Sequence, residues 1–198
     1  MNSATTEKYV LRFKKYLQDS YQVTENEWNP VKDYMQCVTV KKNEYFLQKG
    51  NVCRMLAFIA EGVMSYCMHR EDGEEITCFF ICENEFAGDP DSFYTRKPSD
   101  KNLHALTDCT LIGISYDNMQ KILKAFPRFT EIMVLLDKKV MMGFLGQRDL
   151  FYNLDAAAKY QKFINYYPHI LQRVPLSHVA SFLGIKQQSL SRLRKQIS

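Results

Sequence analysis

Apolar residues fall at helical spacing at both ends of this chain and at strand spacing through its middle. Near the N-terminus Val10, Phe13 and Leu17, with Tyr9 and Tyr16 beside them, mark one face of a helix over residues 5–18. From about Val23 to Ser115 short runs of β-branched and aromatic residues alternate with turn signals. Lys49-Gly50, Glu61-Gly62 and Asp72-Gly73 are such signals, 12 and 11 residues apart. Asp-Gly favours a tight hairpin, because that turn needs φ > 0. Short strands with turns at this spacing predict a β-sandwich or barrel.

The period returns to helix at Tyr116. One short helix is predicted over Tyr116–Ala125, and Pro127 opens a longer one of about 25 residues, to Phe151. That helix has two apolar flanks. Met133, Leu136, Val140, Gly143, Leu150 and Leu154 follow three–four spacing, interrupted by Gln147; Ile132, Leu135, Met142 and Leu145 form the second set. One flank can cover the β domain, and the other needs a partner. A second copy of the helix is the simplest one, so a homodimer is expected, with Met133, Leu136, Val140 and Gly143 in its interface. The alternative is a helix buried inside a monomer. Asn153-Leu-Asp155 breaks the pattern, and Asp155 is a good N-cap for Ala156–Asn165. The boundary is placed here, dividing the chain into 1–153, with the dimerisation helix at about 127–152, and 154–198.

The C-terminal segment predicts three helices, at about 155–166, 176–183 and 187–196, separated by Pro168 and Pro175. Ala180 allows two helices to cross closely, Gly184 permits a left-handed turn, and Ile185 plugs the core. Leu190, Leu193 and Ile197 face inward on the last helix. The pattern is helix, tight turn, helix. Gln187, Gln188, Ser191 and Arg192 are the candidate base contacts, since Gln pairs bidentately with adenine and Arg with guanine. Lys186, Ser189, Arg194 and Lys195 are the candidate phosphate contacts.

Charge sharpens this reading. Residues 156–198 hold seven Lys or Arg and no Asp or Glu, while the whole chain is +4, so residues 1–155 sum to −3 (4 minus 7). A segregated cationic end suits a phosphate backbone. The main alternative is a small-molecule sensor whose helical tail contacts a protein; an acidic tail face would have favoured it. An enzyme is not expected, because no nucleophile elbow, P-loop or HExxH motif is present. An apolar content of 46% supports a packed core. The N-terminus has no apolar signal core and no run reaches a membrane-spanning length, so a cytoplasmic protein without membrane contact is expected. The six cysteines are expected as free thiols. Cys78 and Cys82 share a strand face, but no close Cys or His cluster completes a metal set, and His69 and His104 look isolated. Neither metal nor cofactor is expected.

The chain resembles the Crp/Fnr family of bacterial transcription regulators, especially its short-tailed Bacteroidetes-type members. The resemblance runs from about Tyr45 to Arg194. It rests on Phe46-Leu-Gln-Lys-Gly50, the Glu61-Gly62 and Asp72-Gly73 turns, Glu85-Phe86-Ala-Gly88, Ile114-Ser115-Tyr116, Pro127, Asp155 and, most specifically, Val179–Arg194. It implies an α+β architecture: an N-terminal cyclic-nucleotide-binding-like jelly roll, a long dimer helix and an all-α helix-turn-helix domain. It implies double-stranded DNA and a second copy of the chain as partners, with RNA polymerase as a further one. Members that bind cyclic AMP hold its ribose with a Glu and its phosphate with an Arg. In the matching stretch here Gly88 is followed by Asp89 at the Glu position, Ser99 stands at the Arg position and Asp100 at the small hydroxyl position. Phe144 and Leu145 fall where polar groups usually meet the adenine. The effector pocket is therefore expected to be degenerate and unresponsive to cyclic AMP, unless Arg96, Lys97 or Lys101 takes over. The effector's identity, the operator and the sign of regulation are not legible in the sequence. Little room remains between Tyr166 and Val174 for a β-hairpin wing.

Overall fold

The computed structural model describes residues 3–70, 73, 75–151 and 154–197. The side chains at 3–5, 144–151 and 197 fall outside that description, so Phe144, Leu145, Leu150 and Ile197 lie outside the described side chains, and Asp72 outside the described residues. Among the described residues eight strands form two antiparallel four-stranded sheets. These are β1 (Gln36–Val40), β2 (Tyr45–Leu47), β3 (Met55–Glu61), β4 (Met64–His69), β5 (Glu75–Ile81), β6 (Phe86–Ala87), β7 (Asn102–Ala105) and β8 (Cys109–Ser115). One sheet runs β1-β8-β3-β6 and the other β2-β7-β4-β5. This is the predicted jelly-roll architecture, with its helices at either end of the chain.

Helix α1 (Ser3–Tyr21) lies across the first sheet. Its Tyr9, Phe13 and Leu17 are buried, and Phe13 stacks on Phe58 of β3 with ring centroids 4.9 Å apart. Covered by α1 on one side and the second sheet on the other, β3 is an almost unbroken apolar run instead of an alternating one. Gly62 ends it at φ +109°, where a Cβ would meet Asp108 O at 2.7 Å, so glycine is required on both counts. The short helix α2 (Glu25–Trp28) precedes β1, and α3 (Pro90–Thr95) lies between β6 and β7. The capping box of α2, Thr24 with Glu27, also receives the Arg128 guanidinium at 2.7 Å.

Helix α4 (Tyr116–Ala125) has the predicted bounds, and α5 spans Phe129–Phe151, with Pro127 two residues before it in a turn. α5 has a buried and an exposed apolar flank, but the two predicted sets are mixed between them: Ile132 of the second set is buried in the same core as Leu136 of the first. Leu136 is buried in the chain's own core and Met133 packs against that core. Val134, Leu135, Met141 and Met142 are exposed. Val140 sits at the edge between the flanks, 37% exposed, and a Cβ placed on Gly143 would meet nothing within 4 Å. Of the residues assigned to a dimer contact, Met133 and Leu136 are therefore spent on the β domain. A 3.6-residue period reveals two faces without revealing which one meets the sheet.

The remaining helices are α6 (Ala156–Tyr166), α7 (Leu176–Leu183) and α8 (Gln187–Ile197). Asp155 caps α6, accepting the Ala158 N–H at 2.8 Å. Residues 168–173 are turns, and no strand follows β8 among the described residues. The helical module does not stand apart. Its core of Tyr160, Phe163, Val179, Ala180, Leu183 and Leu190 continues into Val63, Phe80 and Leu106 of the β region.

Candidate nucleic-acid interface and effector pocket

The turn between α7 and α8 is built as the residue types require. Gly184 sits at φ +65° and Ile185 N–H returns to Ala180 O at 3.0 Å, closing the end of α7. Lys159 Nζ donates to Leu183 O at 3.3 Å, so this cation is used inside the module. Ala180 is buried and Ile185 is half-buried against the same core. On α8 Leu190 is fully buried and Leu193 partly so. Gln187, Gln188, Ser189, Arg192, Arg194 and Lys195 are exposed, as is Lys186 just before the helix; Ser191 is half-buried. Apart from Ser191, the predicted base and phosphate residues are thus open to solvent. The start of α8 also borders a groove with Arg70 and Ile76 of the β4–β5 hairpin.

Polar contacts pin the module to the β domain. Arg173 meets Glu83 with two hydrogen bonds, Nη1 to Oε2 at 2.9 Å and Nη2 to Oε1 at 2.5 Å. Glu83 also accepts Gly62 N–H at 2.8 Å. Burial alone would push this carboxyl up, but Arg173 and the backbone donors outweigh it and hold it at about 2. Thr77 N–H donates to Ser181 Oγ at 3.0 Å, and Thr77 Oγ1 lies 3.1 Å from His178 Nδ1.

Gly88 and Asp89, expected in the effector pocket, line a cavity of about 190 Å³ between β6, α3 and α5, with Tyr66, Phe86, Leu136 and Val140 among its other walls; Ser99 and Asp100 do not line it. Asp89 and Ser99, at the expected Glu and Arg positions, are both buried, and Ser99 Oγ donates to Asp89 Oδ2 at 2.6 Å. Asp89 Oδ1 lies 3.5 Å from Ser92 N–H, capping α3. Asp100 is exposed. Lys101 reaches both Asp89 and Asp100, at 3.7 and 3.4 Å. Arg96 donates to Cys53 O and Phe93 O and sits 4.9 Å over the Tyr116 ring, outside this cavity. Asp137 supplies a second carboxyl to the cavity, raised by burial.

Residues 37–126 match the family model described as the cyclic nucleotide-binding domain. The chain carries a cyclic nucleotide-binding domain. Around that domain its fold is the one seen in Crp/Fnr-type regulators. FixK2 from Bradyrhizobium japonicum superposes with a TM-score of 0.71 at 10% identity, covering 82% of this chain and 84% of that one. The c-di-GMP-responsive global regulator CLP of Xanthomonas campestris gives 0.67 at 16%, covering 83% and 87%. A crp/fnr-family regulator from Eubacterium rectale gives 0.67 at 14%, covering 92% and 87%. No curated protein matches the sequence. No described helix is long and apolar enough to cross a membrane.

Contrary to the sequence expectation, His69 and His104 are not isolated. Both reach Glu75, His104 Nδ1 at 3.2 Å and His69 Nε2 at 3.9 Å, and His178 of α7 joins them at 3.7 Å. Glu75, His104 and His178 each offer a ligand atom within 4.8 Å of the others, so a His–carboxylate donor set does exist. A local clue was present. The hairpin predicted at Asp72-Gly73 brings 69 and 75 close together, and in the observed register they stand opposite one another. The meeting with 104 and 178 required the tertiary fold. The six cysteines form no disulfides; Cys82 lies just past β5, so it does not share that strand with Cys78.

Proposed function

We propose that the protein is a sequence-specific regulator of transcription that binds double-stranded DNA as a homodimer and does not respond to cyclic AMP. The observation that carries this reading is the exposed surface of α8. It presents Gln187, Gln188 and Arg192 with Lys186, Arg194 and Lys195 around them, in a segment free of acidic residues. An α-helix of this composition fits the major groove, with amide and guanidinium groups reading bases and cations neutralising phosphates. Residues 1–153 act as the effector and dimer-forming unit and 154–198 as the DNA-binding unit, in the cytoplasm. The dimer forms through the exposed flank of α5, at Val134, Leu135, Met141 and Met142, where four large apolar side chains in three turns otherwise face water.

The pocket argues against a cyclic nucleotide. A buried cyclic phosphate needs a paired cation. Asp89 is already satisfied by Ser99, Asp137 adds a carboxyl, and Lys101 is shared between two aspartates. The cavity, at about 190 Å³, is also smaller than the roughly 300–1,000 Å³ of most ligand pockets. Selection of bound duplexes from a random pool tests the reading. Enrichment of near-palindromic sites with half-sites about one helical turn apart is the expected result. A pool that stays random would refute it.

A further inference from the structure

Three of the four histidines in this chain gather around one carboxylate at the seam between the β domain and the helical module. They come from distant parts of the sequence: His69 from the end of β4, His104 from β7 and His178 from α7, with Glu75 at the start of β5. We propose that Glu75, His104 and His178 form a binding site for a divalent transition-metal ion of the zinc class, which ties α7 to the second sheet.

The atoms are already arranged for this. Glu75 Oε1 faces His104 Nδ1 at 3.2 Å and His178 Nδ1 at 3.7 Å. A tetrahedral ion with bonds of about 2.0–2.1 Å sets its ligand atoms about 3.3 Å apart. The two contacts of Glu75 need only small adjustments to become edges of a coordination tetrahedron; the His104–His178 edge lies within 4.8 Å, and His178 Nδ1 exchanges its contact with Thr77 Oγ1, 3.1 Å away, for the ion. In the metal-free cluster these contacts need protons shared between the groups; the ion takes their place. Three protein ligands leave one position for water or a further donor. Two imidazoles and a carboxylate suit zinc, and also nickel, copper or iron(II).

The surroundings fit as well. The other carboxylate oxygen is occupied by supporting groups. Tyr45 Oη donates to Oε2 at 3.1 Å. Asn102 Oδ1 accepts Lys49 N–H, which turns its amide nitrogen to His69 Nδ1 at 3.1 Å and leaves the His69 proton on Nε2, facing Oε2. Tyr45 stacks on the His104 ring at 4.7 Å and fixes its plane. Such supporting contacts orient ligands in metal sites. The three ligand side chains are 13–19% exposed, shielded but not sealed.

The test uses the full chain stripped with a chelator, titrated with Zn²⁺ by calorimetry, and loaded with Co²⁺ for visible spectroscopy. One ion per chain is expected, with a dissociation constant of micromolar or below. His178→Ala and His104→Ala should each weaken it by at least about 100-fold, at or beyond the upper end of the range for losing a supporting contact. His169→Gln, at the exposed histidine outside the cluster, should leave it unchanged. The Co²⁺ form should show tetrahedral or five-coordinate bands without thiolate charge transfer, a readout on the wild-type chain that stands even if a variant misfolds. Absence of stoichiometric binding would mean that protons alone hold the cluster, and would overturn the proposal. So would thiolate bands, or affinity unmoved by both variants, which would place the ion on cysteines. None of these measurements involves DNA, so their failure leaves the regulator reading standing, and the converse holds.

Discussion

Replacing Glu83 by Gln should cost about 1.5 kcal/mol of stability at pH 7 and clearly less at pH 3. The carboxylate lies in the loop after β5 and joins Arg173 of the helical module by two hydrogen bonds and Gly62 by one. Its folded pKa is about 2, against roughly 4.3 for an unfolded glutamate. A depressed carboxylate stabilises the fold above its unfolded pKa, and that contribution is lost as pH falls from about 4 towards 2. The full linkage is about 3 kcal/mol, from about 2.3 units at 1.36 kcal/mol each. Solvent reaches the pair, with side chains 23% and 32% exposed, so about half of that is a fair expectation. Proton-linkage arithmetic leaves a little under half of the contribution at pH 3. Gln keeps the shape and an acceptor oxygen, so the difference from wild type isolates the charge. Urea unfolding at the two pH values measures it. Trp28, the single tryptophan, reports on the β domain, and far-UV circular dichroism reports on the helices. Because Val63, Phe80 and Leu106 are shared between the two parts, both probes should shift together. A difference that is the same at pH 7 and pH 3, or below about 0.3 kcal/mol at pH 7, would refute the reasoning.

Three further outcomes are expected. Leu135→Glu with Met142→Glu should give folded monomers in sedimentation, whereas Leu136→Glu should unfold the chain, because Leu136 is only 3% exposed; monomeric wild type at micromolar concentration would sink the dimer. Arg192→Ala should cost about 1–3 kcal/mol on the preferred site and relax one base position, while Lys186→Ala should weaken all duplexes alike and flatten the salt dependence, both read by titration at two salt concentrations. Calorimetry with millimolar cyclic AMP or cyclic GMP should give no heat of binding; a low-micromolar constant for either would mean that Asp89 and Ser99 part to admit the phosphate.

Much of the chain was readable because its elements are locally determined. Val10, Phe13 and Leu17 repeat at helical spacing, Asp155 caps α6, and Gly184 turns α7 into α8; each signal lies within a few residues of what it specifies. The meeting of Asp89 with Ser99 is also local, since the two stand ten apart on one short helix-containing loop. What could not be read depends on contacts between distant segments. Leu136 and Leu135 differ by one position, yet one is core and the other faces water, and only the placement of the sheet decides which. His178 meets Glu75 only because α7 packs on β5, a contact about 100 residues long in sequence, with no local pattern to announce it.

That packing decides how α8 can be presented. Two kinds of contact hold the module. Phe80 of β5 lies among Phe163, Tyr167 and Phe182, with centroids 5.2–6.0 Å away, and this apolar contact is indifferent to small rotations. The polar contacts are not: Arg173 with Glu83, Ser181 with Thr77, and His178 with Glu75 each fix a direction. At about 0.5–1.5 kcal/mol for an ordinary hydrogen bond, and more for the ion pair, three such links together amount to a few kcal/mol. A two-state element is driven from one side to the other by about 5.5 kcal/mol. The polar seam alone is therefore worth less than the energy needed to drive such an element across, and the aromatic contact does not depend on it. The effector cavity reaches the module by a different route, since its wall is α5, which runs on to residue 151, four residues before the cap of α6. Met133, Leu136 and Asp137 thus lie on the helix that precedes the module, and Glu75 and Glu83 lie in and just after the strand that packs against α7.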